Sequence, residues 1–413
     1  MVLILICLLA FYVAWNLGAN DVANAMGTSV GSRAITLRQA LFIAGILEFS
    51  GAVLFGRNVS RTLATGIVNP ALWADSPQLF LVGMLAVLLA SGLWLNLATA
   101  LGLPVSSSHG VVGAIAGFGL VAAGAQAIDW RQMGLISMSW VLTPLLSGTI
   151  AALFYSQVQR WILDHPDPIQ QLYEWIPWLS VLLFTVFGLI VLLPLVQRWE
   201  GHPLPDQDVV LGGVGIAAIG LTLASWRRLS REAGRDLQDR SALLEGQLAR
   251  FQVLSACFVA FAHGSNDVGN AIAPLAVITQ IQQTGEVPLG ALPVPLWILI
   301  LGGTGIVAGL AIWGKKVMRT IGEKITALQP SSGFCAELAT ATTVLLASRL
   351  GLPVSTSHAL VGAVVGVGWV RSRETLKLTT LRGILAAWFL TIPIVMLLGV
   401  ILFTGMRSIP QLQ

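Results

Sequence analysis

The chain has 413 residues, of which 55% are hydrophobic and only 10% are charged. Soluble domains carry about 25% charged residues, and the mean hydropathy of this chain is +0.81. This composition excludes a soluble enzyme, a disordered protein and a nucleic-acid binder. The net charge of +4 is expected mainly in cytoplasmic loops, because such loops of membrane proteins are enriched in Lys and Arg.

Long segments without charge predict an all-α integral membrane protein. The longest runs from Ser76 to Ile128, which is enough for two crossings of about 20 residues each. Together with the other apolar runs it predicts about 10–12 transmembrane segments, several of them short or broken.

The longest polar stretch, residues 227–250, contains six arginines and four acids. Smaller basic clusters lie at 315–324 and 371–382, whereas the loops between 160 and 208 are mostly acidic. The positive-inside tendency places the 227–250 stretch in the cytoplasm as a basic loop and the acidic loops outside. Within that loop we expect a solvated amphipathic helix with i,i+4 charge pairs.

The chain contains an internal repeat. Residues 101–117 (LGLPVSSSHGVVGAIAG) and 350–366 (LGLPVSTSHALVGAVVG) are identical at 12 of 17 positions, and GANDVANA at 18–25 matches GSNDVGNA at 264–271. The predicted organisation is a first repeat over 1–160, linking spans plus the basic loop over 161–250, and a second repeat over 251–413. Duplicated halves are typical of secondary transporters, with the site between the repeats. Of the two possible orientations we favour inverted repeats.

The first motif places one aspartate in each half within an otherwise apolar segment. Asp21 lies between Asn20 and Asn24, and the second half repeats this spacing with Asn266, Asp267 and Asn270. An intramembrane carboxylate is costly and therefore indicates function. If the segments are helical, these side chains share a face; if they unwind at Gly18 and Gly264, backbone carbonyls also become available. Such oxygens suit a hard cation such as Na⁺, although the carboxylates could instead carry a proton.

The second motif is PVSSSH at 104–109 and PVSTSH at 353–358. Pro favours a helix start and Ser or Thr favours an N-cap, so each motif predicts a half-helix that begins inside the membrane, after a break at Gly102 or Gly351. The exposed N–H groups and the positive end of the helix dipole would face an anion. Three hydroxyl groups in each half add neutral donors.

Neither motif contains Lys or Arg, so an anion bound there would lack a full counter-charge. The two aspartates would also repel it. Co-bound cations or protons resolve both difficulties, and the residues therefore favour cation-coupled anion symport. Arg349 is the main basic residue beside a motif, and its repeat partner is Ala100.

Two further acids and three histidines lie in apolar context. Glu48 and Glu337 align with Ile306 and Leu88 in the other half, so we predict roles in coupling or gating, with a neutral buried carboxyl as the alternative. His109 and His358 are expected to orient the serine-rich loops. His263 has no repeat partner and is interpreted as structural.

GANDVANA, GSNDVGNA, LGLPVSSSH and GFCAELATATTVLLASRLGLPVSTSH resemble the PiT family of inorganic phosphate transporters. The resemblance implies a multi-pass symporter in the plasma or inner membrane, with two inverted repeats, that imports inorganic phosphate with Na⁺ or H⁺. By the same resemblance the protein is expected to need no cofactor and to have no enzymatic activity. It is expected to interact with the lipid bilayer and not with nucleic acid, and it is compatible with a homodimer. Arg349 departs from the small or polar residue expected there.

These inferences assign the predicted site. The cation, Na⁺ or H⁺, is expected at Asn20, Asp21, Asn266 and Asp267. Phosphate is expected at Asp21, Asn24, Ser106, Ser107, Ser108, Asp267, Asn270, Ser355, Thr356 and Ser357. The alternatives are transport of sulfate or another oxyanion, a passive anion channel and an intramembrane aspartyl protease. The last two are disfavoured, because anion pores usually use basic rings and the protease would leave the serine motifs without a role.

Overall fold

A computed structural model describes residues 2–101, 105–197, 205–232, 240–290, 292–314, 328–372 and 378–409. Almost all of these residues are helical, and the isolated bridge between Val68 and Ile128 is the one piece of β-structure among them. The prediction of an all-α protein is confirmed.

The first half contains six helices within the described residues. They are α1 (Val2–Gly31), α2 (Leu37–Phe55), α3 (Arg57–Thr65), α4 (Pro77–Leu101), α5 (Ser107–Ala123) and α6 (Trp130–Val158), the last extended by a π-helical turn, Gln159–Leu163. Short 3-10 turns follow α3 and α5 at Pro70–Trp73 and Ala125–Ala127.

The linking region and the second half complete the chain. The link contains α7 (Pro168–Phe187), a π-helical turn (Gly188–Leu192), α8 (Leu193–Val196) and α9 (Asp206–Glu232). The second half contains α10 (Arg240–Thr284), α11 (Leu296–Ile312), α12 (Pro330–Arg349), α13 (Thr356–Arg371) and α14 (Leu378–Arg407).

Seven helical segments of the described chain are long and apolar enough to cross a membrane, so this is a multi-pass membrane protein. They are Leu3–Gly31, Leu37–Phe55, Pro77–Leu101, Trp130–Leu163, Pro168–Val196, Asp206–Arg231 and Leu381–Arg407. Helices α5 and α11 are apolar but shorter. The long central helix α10 carries the second Asn-Asp motif in its buried middle.

Helices of each half pack against helices of the other half. Helix α1 packs on α11 and α10 packs on α2, while α5 packs on α14 and α6 on α13. Helices α1 and α10 meet near Asp21 and Asp267, whose carboxylates both approach His263. Towards the C-terminus of α1 and the N-terminus of α10, Ser29 and Ser255 bond the same carboxylate. The two helices therefore run in opposite directions, as expected for the first helices of inverted repeats.

Of the two conformations considered for the Asn-Asp segments, the continuous helix is observed and the break is not, because α1 and α10 continue through Gly18 and Gly264. The glycines instead allow close packing: a Cβ on Gly18 would lie 2.0 Å from the carbonyl oxygen of Ile306, and one on Gly264 would lie 2.0 Å from that of Glu48. The break at Gly351 is confirmed, with a φ of +70° between α12 and α13. Gly102 and Pro104 lie outside the described residues.

The basic stretch 227–250 is helical where the structure describes it, as expected for an amphipathic helix. Helix α9 continues to Glu232 and α10 begins at Arg240, so the predicted boundary at 250/251 falls inside a helix. Amphipathic spacing of charged and apolar residues allows both ends to continue as helix. Residues 233–239, the basic cluster at 315–324 and residues 373–377 lie outside the described residues.

Candidate functional site

The two motif aspartates meet in the middle of the protein. Both are buried, and His263 on α10 lies between them, with Nε2 2.9 Å from Asp267 Oδ2 and 4.0 Å from Asp21 Oδ2. One ligand atom from each of these three residues lies within 4.8 Å of the others, close enough to share one metal ion. The equivalent aspartates of the two repeats therefore lie close together at the interface between the halves.

The start of each half-helix is an N-cap, as predicted. The Ser106 hydroxyl accepts a hydrogen bond from the His109 N–H at 3.3 Å, and the Ser355 hydroxyl accepts one from the His358 N–H at 3.4 Å. Each bond satisfies one N–H group in the first turn of its helix. The other N–H groups of that turn have no partner within the helix. Helices α5 and α13 therefore begin in the protein interior.

Hydroxyl groups and amides of the two motifs contact each other across the site. Thr356 Oγ1 donates to Asp267 Oδ2 at 3.2 Å. Asn270 Nδ2 lies 3.4 Å from Ser107 Oγ and 3.2 Å from Ser108 Oγ, so an amide of the second half reaches the serines of the first. The structure therefore joins the two predicted motifs into a single constellation.

The remaining motif residues support this constellation. Asn24 Nδ2 donates to Asp21 Oδ1 at 2.9 Å, and Ser108 Oγ donates to the Val354 carbonyl at 3.0 Å. The hydroxyl groups of Ser355 and Ser357 lie 2.8 Å apart. All are buried, which keeps the backbone near both helix starts fixed.

Asn20 and Asn266 hold neighbouring helices in place. Asn20 Nδ2 donates to Thr99 Oγ1 on α4 at 3.2 Å. Asn266 Nδ2 donates to Ser348 Oγ at 2.9 Å and to the Leu352 carbonyl at 3.1 Å, while its Oδ1 accepts from the Val354 N–H at 3.3 Å. Asn266 thereby fixes the break before α13, and its cation-binding role stays a prediction.

His263 is the site residue that sequence reasoning misses. Its Nδ1 lies 3.2 Å from Glu48 Oε2 on α2, so one imidazole contacts three carboxylates. The repeat favours a purely structural role, because the equivalent residue in the first half is Leu17. The available signal is its position four residues before Asp267, because i and i+4 side chains share a helix face.

Three oxygens of the two Asn-Asp motifs have no hydrogen-bond partner among the described residues: Asp21 Oδ2, Asp267 Oδ1 and Asn270 Oδ1. All three are buried. A buried polar atom without a partner is costly, and two carboxylates close together favour a positive charge between them. These oxygens can therefore bind a cation.

Other predicted residues lie apart from the central site. Glu337 accepts bonds from α1 and α10 in a separate cluster. His109 and His358 contact each other edge-on with ring centroids 4.5 Å apart, between the rings of Trp140 and Trp388. Arg349 is exposed and donates to the carbonyl of Leu189, within the π-helical turn after α7, at 3.2 Å.

The described fold and site define a class: a multi-pass helical membrane protein with a buried, oxygen-rich site between two antiparallel halves. The sequence profile of the "Phosphate transporter family" matches residues 17–399. The chain belongs to this family, and its substrate is phosphate.

Known proteins of similar sequence and structure agree. The chain is 42% identical to "Inorganic phosphate transporter 2-1, chloroplastic" of Arabidopsis thaliana, over 97% of this chain and 72% of the relative. It is 38% identical to a protein of solved structure named "The sodium-dependent phosphate transporter", with a TM-score of 0.89 over 99% of this chain and 100% of the other.

Proposed function

We propose that the protein imports inorganic phosphate by symport with Na⁺, or alternatively with H⁺, through alternating access. The proposal depends on one observation: Asp21 and Asp267 meet beside the N-termini of α5 and α13. A cation site and an anion site therefore share one buried space.

Phosphate is expected at the two half-helix starts. Free N–H groups and the helix dipole attract an anion there. The hydroxyls of Ser107, Ser108 and Thr356 line the same space and become donors to phosphate when they exchange their present partners. A protonated phosphate oxygen can also donate to a carboxylate, whereas sulfate lacks that proton at neutral pH. This difference favours phosphate over sulfate.

The cation is expected beside His263, at the oxygens of the two aspartates that have no hydrogen-bond partner. The unpartnered oxygens of Asp21, Asp267 and Asn270 supply hard oxygen ligands, and their negative charge would otherwise oppose phosphate binding. Binding of the cation therefore favours binding of the anion, which is the thermodynamic basis of coupling. The related transporter of solved structure is named for its sodium dependence, which supports Na⁺ as the first choice.

Alternating access would expose the site to each side in turn. The motif residues on both halves are at most 5% exposed, so the structure is closed around the site. Because the halves interlock at this point, a rocking movement of one against the other would open one side and close the other.

The test is uptake of labelled phosphate into proteoliposomes with Na⁺ and proton gradients imposed separately. We expect uptake to follow the Na⁺ gradient. Asp21→Asn and Asp267→Asn should each reduce coupled uptake by about 10- to 100-fold, because each removes a charge-assisted contact.

Asp164→Asn is the matched control, because Asp164 is an acid outside the site, directly after the π-helical turn of α6. It should leave uptake unchanged. Equal uptake with and without either gradient would contradict symport, and full activity of both site variants would contradict the site assignment.

A further inference from the structure

Helix α3 is a short amphipathic helix with two arginines on its exposed face. Arg57 and Arg61 are exposed, and they share a face because they are four residues apart. Arg61 Nε donates to the Leu292 carbonyl at 3.3 Å, and the terminal amino groups of Arg61 have no partner among the described residues. The opposite face of the helix is buried and consists of Val59, Ser60, Leu63 and Ala64.

Helix α3 packs directly beside the central site. A Cβ on Gly269, two residues after Asp267, would lie 3.1 Å from the backbone nitrogen of Ser60. A Cβ on Gly351, at the break before α13, would lie 3.3 Å from the carbonyl oxygen of Asn58. The helix therefore lies between α10, just beyond its motif aspartate, and the break that precedes the half-helix α13.

The exposed face of α3 lies on the side of the protein where α1 begins. Arg61 contacts the segment that joins α10 to α11, and α10 runs opposite to α1, so the end of α10 is near the start of α1. The basic stretch 227–250 leads into the start of α10 and is expected in the cytoplasm. Under that expectation α3 faces the outside, from which phosphate would be imported.

The two arginines supply the positive charge that the central site lacks. Neither serine motif contains Lys or Arg. An arginine that faces lipid is costly, so the exposed face of α3 is expected to border water. Among the described residues, neither Arg57 nor Arg61 forms an ion pair with a carboxylate. Two such guanidinium groups attract anions and can bind phosphate oxygens in pairs.

The repeat carries the same basic positions in the second half. The heptapeptides GRNVSRT and GKKVMRT begin at Gly56 and Gly314, and both have a basic residue at the second and sixth positions. A Cβ on Gly56 would meet Val268, and one on Gly314 would meet Val22. Each of these valines follows a motif aspartate. Both basic segments therefore begin beside an aspartate of the central site, although residues 315–327 lie outside the described residues.

We propose that Arg57 and Arg61 form an entrance site, which binds phosphate on the external side before it passes to the central site. The entrance site raises the local concentration of phosphate and its rate of association. It does not take part in cation binding, so it lowers the KM for phosphate and leaves the maximal rate unchanged. The proposal rests on the phosphate import proposed above.

The test measures uptake against phosphate concentration in proteoliposomes of uniform orientation, with the start of α1 outside. Na⁺ is held constant, and choline chloride sets a low or a high ionic strength. Arg57→Gln combined with Arg61→Gln should raise the KM by about 3- to 10-fold at low ionic strength, with the maximal rate within about twofold. The difference should vanish at high ionic strength, because salt screens exposed charges. Arg57→Lys combined with Arg61→Lys should keep the KM within about twofold.

A second measurement changes the charge without a further substitution. Arg57→Cys is made after replacement of Cys7, Cys257 and Cys335 by alanine, and it is modified from outside with membrane-impermeant methanethiosulfonate reagents. A cationic reagent should restore the low KM, and an anionic reagent should raise the KM further. This measurement decides the matter if the double glutamine variant does not fold.

Arg33→Gln combined with Arg38→Gln is the matched control, because these two exposed arginines lie at the opposite end, between α1 and the start of α2. It should leave the KM unchanged. An unchanged KM in the variant that lacks Arg57 and Arg61 would overturn the entrance site alone. So would a raised KM that persists at high ionic strength and is the same with either reagent. If the unmodified protein shows no gradient-driven phosphate uptake, the proposed function fails and the entrance site with it.

Discussion

The two halves place Ser107 and Thr356 at equivalent helix starts and contribute one aspartate each. Among the described residues, the additional buried acids are Glu48 and Glu337, and they lie on the same side of the interface. Glu48 of the first half pairs with His263 of the second, whereas the repeat-related positions are Ile306 of the second half and Leu17 of the first. Glu337 and the four residues that donate hydrogen bonds to it likewise have apolar counterparts at the repeat-related positions. Where a buried acid occurs at one of two repeat-related positions, its polar partners occur with it, because an isolated buried charge would be costly.

This comparison separates two requirements. The symmetric residues lie where phosphate and cation are expected and where both halves must contribute. The asymmetric residues lie beside that site, and they give the two sides of the protein different contacts. Under the alternating access proposed above, such contacts would make the inward-open and outward-open states unequal in free energy.

The largest expected effect is a loss of stability on replacing the Glu48–His263 pair by the apolar residues found at the repeat-related positions, Ile306 and Leu17. His263→Leu alone leaves three buried carboxyl groups without their shared imidazole partner and should lower the free energy of unfolding by about 3–5 kcal/mol. The double variant with Glu48→Ile recreates the Leu17–Ile306 pair and should recover part of this loss. The measurement is denaturant unfolding in detergent micelles; a double variant as unstable as the sum of the two single variants would contradict coupling.

An intermediate and equal effect is expected at the close helix crossings. Gly18→Ala and Gly264→Ala each place a Cβ against a backbone carbonyl, and overpacking of this kind costs about 1–3 kcal/mol. Thermal unfolding in detergent should show similar losses for both. Gly220→Ala, whose Cβ meets nothing within 4 Å, should be neutral, and clearly unequal losses at the two crossings would argue against equivalent packing.

The smallest effect is expected where the halves already differ by one methyl group. Thr356→Ser keeps the hydroxyl that contacts Asp267 and gives the residue found at Ser107, so the KM for phosphate should stay within about twofold. Thr356→Ala removes the hydroxyl and should raise the KM by about 2- to 10-fold. Uptake at varied phosphate concentration measures both, and identical KM values for serine and alanine would exclude a role for the hydroxyl.

Much of the site could be predicted from local pattern. Asp21 and Asp267 stand out because a charge in an apolar segment is rare, and the N-caps at Ser106 and Ser355 follow from residue type beside Pro and Gly. The repeat indicates in addition that the two sets act together. The role of His263 could not be predicted from local pattern, because its partners Asp21 and Glu48 lie on helices that are distant in sequence.

The glycines show the limit of local reasoning most clearly. Gly351 has a positive φ and ends a helix, whereas Gly18 and Gly264 lie inside continuous helices. Glycine permits both a break and a close approach, and only the neighbouring helix decides which is needed. Here the backbone of Ile306 or Glu48 occupies the space that a side chain would fill.

The sequence by itself determined the membrane class, the duplication and the two polar motifs, because hydropathy, repetition and residue type are properties of the chain. Only the tertiary structure decided that α1 and α10 are antiparallel, that His263 joins three carboxylates and that Glu337 belongs to a separate cluster. These features depend on helices that are distant in sequence and adjacent in space, and the packing of the two halves fixes which of their side chains meet.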